Sequence, residues 1–213
     1  MERKLLIHYS LYKLKTKENI KPFFEEFSKF SQRTYFYITT PFRTEYDILV
    51  WNITSLENME NFINYFTKHI FKFRDLVEFK EVFWGFTKPS IYTRGQKSPQ
   101  EIDPFDENRK KFFIVYPFVK TADWYILSFE ERKEMMYEHI RIGKKYPEIL
   151  QLLTYCFGLN DNEFIVAYET DNLLLFEELV EELRGSKARI YTKKDTPIIT
   201  GIYIKREDLI DAF

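Results

Sequence analysis

Residues 152–170 read LLTYCFGLNDNEFIVAYET, and this stretch decides the fold. Two runs rich in apolar, β-branched and aromatic side chains flank the turn Gly158-Leu159-Asn160-Asp161. Such runs around a short, glycine-containing turn are typical of two antiparallel strands. The sequence therefore predicts a hairpin here, and the flanking segments indicate what it packs against.

A helix with a marked start precedes the hairpin, in residues 128–146, SFEERKEMMYEHIRIGKKY. Ser128 and the glutamate three residues on have the spacing of a capping box, in which each side chain bonds to the other residue's backbone N–H. Met136, His139 and Gly143 follow at spacings of three and four, so they share one helix face. We expect this face to turn inward, because most of the remaining positions are charged.

The remaining elements complete an order that occurs twice. The strand-like run KFFIVYPFVK (111–120) precedes the Ser128 helix, the amphipathic helix LLLFEELVEELRG (173–185) follows the hairpin, and TPIITGIYIK (196–205) is a final strand. This β-α-β-β-α-β order is that of a ferredoxin-like unit. The first half repeats it, from KLLIHYSLYKL (4–14) to VFWGFTK (82–88).

The predicted fold class is α+β, with tandem ferredoxin-like halves that form a dimeric α+β barrel-like unit. The proline-containing segment 88–111 has little apolar periodicity and is predicted to be a linker. The predicted domains are a degenerate N-terminal half at 1–87, the linker at 88–111 and a C-terminal half at 112–213.

Charge and cysteine content argue against several classes of function. Lysine plus arginine number 32 and aspartate plus glutamate 33, so no basic excess supports nucleic-acid binding. Cys156 is the only cysteine, which fits a reducing cytoplasm and predicts a buried structural thiol. No apolar stretch approaches the roughly 18 residues of a membrane span. We therefore expect a cytoplasmic protein that binds neither nucleic acid nor membrane.

The residue pattern around His139 leaves two interpretations open. His139 is either a core histidine with a backbone hydrogen bond or a ligand that faces the interior. No cysteine or histidine lies at metal-ligand spacing from it, which argues against a zinc site. A single axial histidine is enough to hold haem iron, and Gly143, one turn further on, would let a large group approach the helix.

The C-terminal half resembles the chlorite dismutase family. The resemblance lies in YPFVKTADWYILSFEERKEMMYEHIRIGKKY (116–146), TYCFGLNDNEFIVAYETD (154–171) and DTPI (195–198), and it covers about residues 112–203. The resemblance is weaker in the first half, where it rests on RTEYDILVW (43–51) and KPSIYT (88–93). The resemblance implies a pair of ferredoxin-like halves, a homo-oligomer that is pentameric at this length, and a haem b or iron coproporphyrin cofactor.

The resemblance also implies a role for each matching residue. His139 would be the proximal iron ligand, with Met136 and Gly143 on the same helix face. Tyr116 would relay a radical, and Lys120 would support the same chemistry or hold a propionate; alternatively, Lys120 is a solvent-pointing lysine at a strand end. The expected neighbours of the haem and its propionates are Trp124, Tyr125, Lys144, Tyr92 and Arg189.

Two departures from the family pattern limit the expected activity. The place of the distal arginine of chlorite dismutases holds Gln151 when counted back from Gly158, and Leu152 when counted forward from His139. Lys187 stands near the place of the glutamate that accepts from the proximal histidine, and an ammonium cannot accept that bond.

We therefore expect a haem- or coproheme-binding enzyme with peroxidase-like oxidoreductase chemistry. Peroxide is the expected oxidant, and coproheme decarboxylation is the most specific reaction that we expect. Efficient chlorite cleavage is not expected. The alternatives are a non-catalytic haem carrier or sensor and a cofactor-free structural oligomer.

Overall fold

The computed structural model describes residues 4–92 and 98–213. The chain divides into two compact units, of which the first comprises Met1–Thr87, Pro104–Arg109 and Ile199–Phe213 and the second Lys88–Asp103 and Lys110–Ile198. The predicted boundaries at 87 and 112 divide the chain differently and stay a prediction. Part of the predicted linker, residues 93–97, lies outside the described residues.

The first unit is an antiparallel sheet with helices on one face. Its main elements, in chain order, are β1 Leu5–Leu14, α1 Lys21–Glu25, β2 Arg33–Ile38, β3 Ile48–Ser55, α2 Met59–Lys72 and β4 Val77–Phe86. Strand β1 pairs with both β3 and β4, and β3 pairs with β2, which gives the strand order β4-β1-β3-β2. This is the predicted β-α-β-β-α-β element order.

Aromatic rings form the core between this sheet and its helices. Phe23, Phe24, Phe27 and Phe62 are at most 2% exposed and belong to one cluster, in which Phe23 and Phe27 contact the Tyr12 ring. Burying an aromatic side chain of this size stabilises the fold by roughly 1.5–3 kcal/mol. The first unit therefore has an apolar core of its own.

The second unit carries the hairpin and the Ser128 helix. Its elements, in chain order, are β5 Phe112–Lys120, α3 Ala122–Ile126, α4 Phe129–Gly143, β6 Leu150–Tyr155, β7 Phe164–Thr170, α5 Leu173–Arg184 and β8 Thr192–Lys194. Strand β7 lies antiparallel to both β5 and β6, and β8 pairs with the end of β5. The predicted hairpin is confirmed as β6–β7, with Gly158 at a φ of 71° in its turn.

Local side-chain bonds determine where the two long helices of this unit begin. Ser128 Oγ accepts from the Glu131 N–H at 3.3 Å, and the Glu131 carboxylate accepts from the Ser128 N–H at 2.9 Å, so the predicted capping box is confirmed. Asn172 caps α5 by accepting from the N–H groups of Leu174 and Leu175. Helix α5 ends at Arg184, before Gly185, as predicted.

The core of the second unit lies between its sheet and helices α4 and α5. Ile114, Val166 and Tyr168 come from the sheet, Ile142 from α4 and Leu179 from α5. Helix α4 therefore packs through Ile142, beside the predicted face of Met136, His139 and Gly143.

The last strand, β9 (Ile199–Ile204), runs antiparallel to β2, with Phe36 opposite Ile204. Gly201 permits the close approach, because a Cβ at this position would stand 2.7 Å from the Cβ of Tyr37. Across residues 4–92 and 98–213, no helix combines the length and apolarity needed to cross a membrane.

Candidate functional site

His139 is half-buried on the inward side of α4 and makes no hydrogen bond to another described residue. Burial lowers the pKa of His139 to about 4, and the Lys120 ammonium acts in the same direction. The imidazole is therefore neutral near pH 7 and keeps a free lone pair, as a metal ligand must. The backbone hydrogen bond of the core interpretation is not found within the described part of the chain.

The helix face beside His139 is open towards its C-terminal end. No neighbouring heavy atom lies within 4 Å of the place where a Cβ of Gly143 would stand. Met136, on the same face, is half-buried. This face therefore has space beside an available histidine, as the spacing of these residues predicted.

Lys120 is buried, with 7% of its surface exposed, so the interpretation as a solvent-pointing lysine is wrong. The pairing of β5 with β8 shifts register between Val119 and Lys120, where β8 has one additional residue. The Nζ of Lys120 donates to the Ala188 carbonyl at 2.8 Å and lies 4.2 Å from the centre of the Trp124 ring.

The environment of Lys120 disfavours its charged form. Burial, followed by the Arg189 guanidinium, lowers the pKa of Lys120 to about 8, against the opposing effect of Glu163. The amine can therefore take up or release a proton close to neutral pH. This property suits a proton-transfer role and also a contact with an anionic ligand.

Tyr116 stacks on a second tyrosine that the sequence interpretation did not include. The Tyr116 and Tyr168 ring centres lie 6.1 Å apart with planes at 23°. Burial raises the pKa of Tyr116 well above its ordinary value, and the Tyr168 hydroxyl and Asp195 act in the same direction. Tyr116 therefore keeps its phenolic proton at neutral pH and has a polar neighbour to which it can donate.

The strand register shows on which face of the sheet Gln151 and Leu152 lie. Residues directly opposite one another on neighbouring strands point to the same face of the sheet. Gln151 lies opposite Tyr168, which packs against the helices, whereas Leu152 lies opposite Ala167. Gln151 is exposed on the helix side of the sheet, and Leu152 is buried on the other side with 4% exposure.

Glu163 fixes the aromatic pair of α3 against the hairpin. Its Oε2 accepts from the Tyr125 hydroxyl at 2.5 Å and from the Lys120 N–H at 2.8 Å. Trp124 is 4% exposed, whereas Tyr125 is 38% exposed. Glu163 also raises the pKa of Tyr125, after the larger effect of burial. Of the two predicted haem neighbours, Trp124 is therefore also a core residue.

The cations predicted to hold propionates differ in whether they already have an ion-pair partner. Arg189 Nη1 bonds to Asp195 Oδ2 at 2.5 Å, so it already has a carboxylate partner. Lys144 is exposed at the end of α4, and no described residue forms an ion pair with it. An anionic ligand would compete with Asp195 for Arg189 but would meet no competitor at Lys144.

The contacts of Lys187 are with glutamates of α4, not with His139. Its backbone N–H donates to Glu138 at 3.0 Å, and its Nζ lies 3.9 Å from Glu134, on the charged side of α4. Among the described residues, no carboxylate acts on the pKa of His139. Within residues 4–92 and 98–213, no group of three or more His, Cys, Asp or Glu side chains could hold a metal ion.

Tyr92 is affected by Arg132, a residue that the sequence interpretation did not include. Tyr92 stacks on Phe129 with ring centres 6.0 Å apart and planes at 3°. Burial raises the pKa of Tyr92, and the Arg132 guanidinium opposes this rise. Arg132 lies seven residues, or about two helical turns, before His139. The spacing therefore predicts that both side chains lie on the same helix face.

The arrangement of the second unit fits an iron porphyrin. A neutral histidine without a protein partner faces open space, and Tyr116, Gln151 and Lys120 supply a phenol, an amide and an amine in the same unit. Sheet side chains on the helix side, including Leu153 at 39% exposure, are only partly covered. A planar, mostly apolar group held by one axial histidine suits these surroundings.

Comparison with known proteins supports this interpretation. A coproheme decarboxylase from Mycolicibacterium smegmatis is 36% identical over 104 residues, which are 49% of this chain and 45% of that protein. One from Staphylococcus saprophyticus is 25% identical over 181 residues, 78% of this chain and 72% of that protein. The chain thus spans about half the length of the first relative.

The fold agrees with that of a solved structure. A crystal structure described as a candidate chlorite dismutase superposes with a TM-score of 0.84 and 24% identity, covering 99% of both chains. The predicted α+β fold with two ferredoxin-like halves is thereby confirmed. The sequence profile of the chlorite dismutase family matches residues 13–204, and the chain belongs to this family.

Proposed function

We propose that this protein binds haem b or iron coproporphyrin through His139 and catalyses peroxidase-like oxidation, with coproheme decarboxylation as its specific reaction. The observation that carries the proposal is the neutral, half-buried imidazole of His139, which has no described protein partner and faces open space at Gly143. The coproheme decarboxylases among its relatives support the choice of reaction.

The iron porphyrin would supply the redox chemistry with peroxide when bound. Each propionate that becomes a vinyl group releases CO₂, one proton and two electrons, and the two electrons reduce one peroxide, which takes up two protons to give two waters. Tyr116, which stacks on Tyr168, would pass on an electron while its proton moves towards the Tyr168 hydroxyl. Lys120, with a pKa of about 8, would accept or return a proton at Nζ.

Gln151 would face the oxidant as a neutral amide. An arginine would hold and orient an anionic oxidant such as chlorite, and a glutamine lacks that charge. We therefore propose peroxide as the oxidant and slow turnover of chlorite. The protein is further proposed to be a cytoplasmic homo-oligomer of five copies, an assembly that rests on the family resemblance and is checked by light scattering against the 26.1 kDa chain mass.

A haem carrier or sensor is the second candidate function. It is favoured by the proximal side, because no carboxylate acts on His139 and the Lys187 ammonium turns to Glu134. A less electron-rich imidazole would support O–O cleavage less well. This candidate predicts binding without turnover.

The test is a titration of the purified protein with haemin and with iron coproporphyrin, followed by absorbance in the Soret region. Wild type should give a saturable band that His139→Ala shifts or abolishes; an unchanged band would refute the role of His139. Peroxide added to the coproporphyrin complex should release CO₂ and lower the porphyrin mass in steps. Binding without any CO₂ would favour the carrier, and absence of binding would leave the cofactor-free oligomer.

A further inference from the structure

We propose that Arg132 is a carboxylate anchor, which binds a carboxylate side chain of the porphyrin that His139 would hold. This inference rests on the proposed function, because it assigns one end of the same ligand. Arg132 lies on α4 seven residues before His139, so the two side chains leave the helix in nearly the same direction, about 10 Å apart along its axis.

The first observation is a shielded Nε–H of Arg132 that has no acceptor among the described residues. No ion pair to Arg132 is found there either. Arg132 as a whole is half-buried, and a shielded N–H without an acceptor is costly, so an anionic ligand could supply the missing bond.

The second observation is the set of phenols around it. The Arg132 charge acts on the pKa of both Tyr92 and Tyr125, and Tyr92 in turn acts on the pKa of Tyr155. Phenolic hydroxyls donate hydrogen bonds to carboxylates. The Tyr125 hydroxyl already donates to Glu163, so Arg132 and Tyr92 together bring one fixed positive charge and one neutral donor to the inward side of α4.

Glu163, the acid bonded to Tyr125, does not neutralise Arg132. Glu163 neighbours the same group but is engaged by the Tyr125 hydroxyl and the Lys120 N–H, and it forms no ion pair with Arg132. Within residues 4–92 and 98–213, the charge of Arg132 is thus left available to a ligand.

A planar guanidinium recognises a carboxylate by two parallel hydrogen bonds, which a lysine cannot reproduce. The predicted ligand chemistry is therefore a carboxylate on a flexible arm, attached to the same flat ring that contacts His139. A porphyrin with four such arms should gain more from Arg132 than one whose arms are esterified.

The experiment uses metal-free coproporphyrin, so that iron ligation by His139 does not contribute. Its affinity for the full chain is measured by fluorescence, beside that of its tetramethyl ester, for wild type, Arg132→Gln and Arg132→Lys. Arg132→Gln should bind the free acid at least tenfold more weakly and the ester unchanged, and Arg132→Lys should recover only part of the loss. Arg141→Gln, on the exposed side of α4, is the matched control and should bind like wild type.

Thermal unfolding of the ligand-free variants provides a readout without porphyrin. Arg132→Gln should melt at the same temperature as wild type or higher, because a shielded Nε–H without an acceptor is removed. Equal weakening of acid and ester, or no change in either, would overturn the anchor while leaving the role of His139 intact. Failure of wild type to bind porphyrin with or without iron would overturn both proposals. If Arg132→Gln does not fold, Tyr92→Phe takes its place and should weaken the free acid alone.

Discussion

Replacing Lys120 by methionine should change how the stability of this protein depends on pH. Burial lowers the pKa of Lys120 from 10.5 to about 8, and the side chain is 7% exposed, so solvent screens the effect little. Because each pKa unit corresponds to 1.36 kcal/mol, keeping this amine charged in the fold costs about 3 kcal/mol.

The direction follows from the number of protons that each state binds. Between pH 8 and 10.5 the unfolded chain binds the proton and the folded protein has lost it, so the free energy of unfolding rises with pH through this window. Below pH 8 the amine is charged in both states and the whole cost is present. Above pH 10.5 it is neutral in both states and the cost is gone.

Urea unfolding at several pH values between 7 and 9.5 measures this effect. The stability of wild type minus that of Lys120→Met should rise by about 2 kcal/mol over this range, since subtraction removes groups common to both proteins. Lys194→Met is the control, because its side chain is exposed and its difference profile should be flat. A flat profile for Lys120→Met would refute the buried position of this amine.

Three further substitutions test other parts of the structure. Gly201→Ala should lower the free energy of unfolding by about 1–3 kcal/mol, because its Cβ would stand 2.7 Å from the Cβ of Tyr37. Gly143→Ala should leave the free energy of unfolding unchanged, because no neighbour lies within 4 Å of its Cβ. Equal effects of the two substitutions would contradict the close packing at Gly201. Ser128→Ala should lower the same quantity by about 1 kcal/mol in a urea titration, because α4 loses its capping box, and Ser128→Thr should restore most of it. Gln151→Arg should release dioxygen from chlorite faster than wild type once haem is bound, and it should change stability by less than about 0.5 kcal/mol because Gln151 is exposed. A rate equal to wild type would place Gln151 away from the oxidant.

Local patterns predicted the parts of the site that depend on a single element. The inward direction of His139 follows from the 3.6-residue period of a capped helix, and the hairpin follows from its two strand runs. Gln151 and Leu152 could not be separated by counting, because a shift of one residue moves a strand side chain to the other face of the sheet. The register against β7 distinguishes them.

Contacts that depend on tertiary packing were beyond the sequence. Nothing in VYPFVK indicates that Lys120 lies against Trp124, because its position depends on the Ala188 carbonyl, far along the chain, to which Nζ donates. Arg132 was overlooked although its spacing from His139 was visible, because an arginine on an inward face is read as a surface residue until its partners are known.

The pairing of β9 with β2 has a consequence for synthesis on the ribosome. The open edge of β2 emerges early, yet the strand that pairs with it follows only after residues 39–198 have been made. Until then a row of unpaired backbone groups is available to another nascent chain. Slow translation of the last segment should therefore promote aggregation through the N-terminal part of the protein, although the residues being delayed are at the C-terminal end.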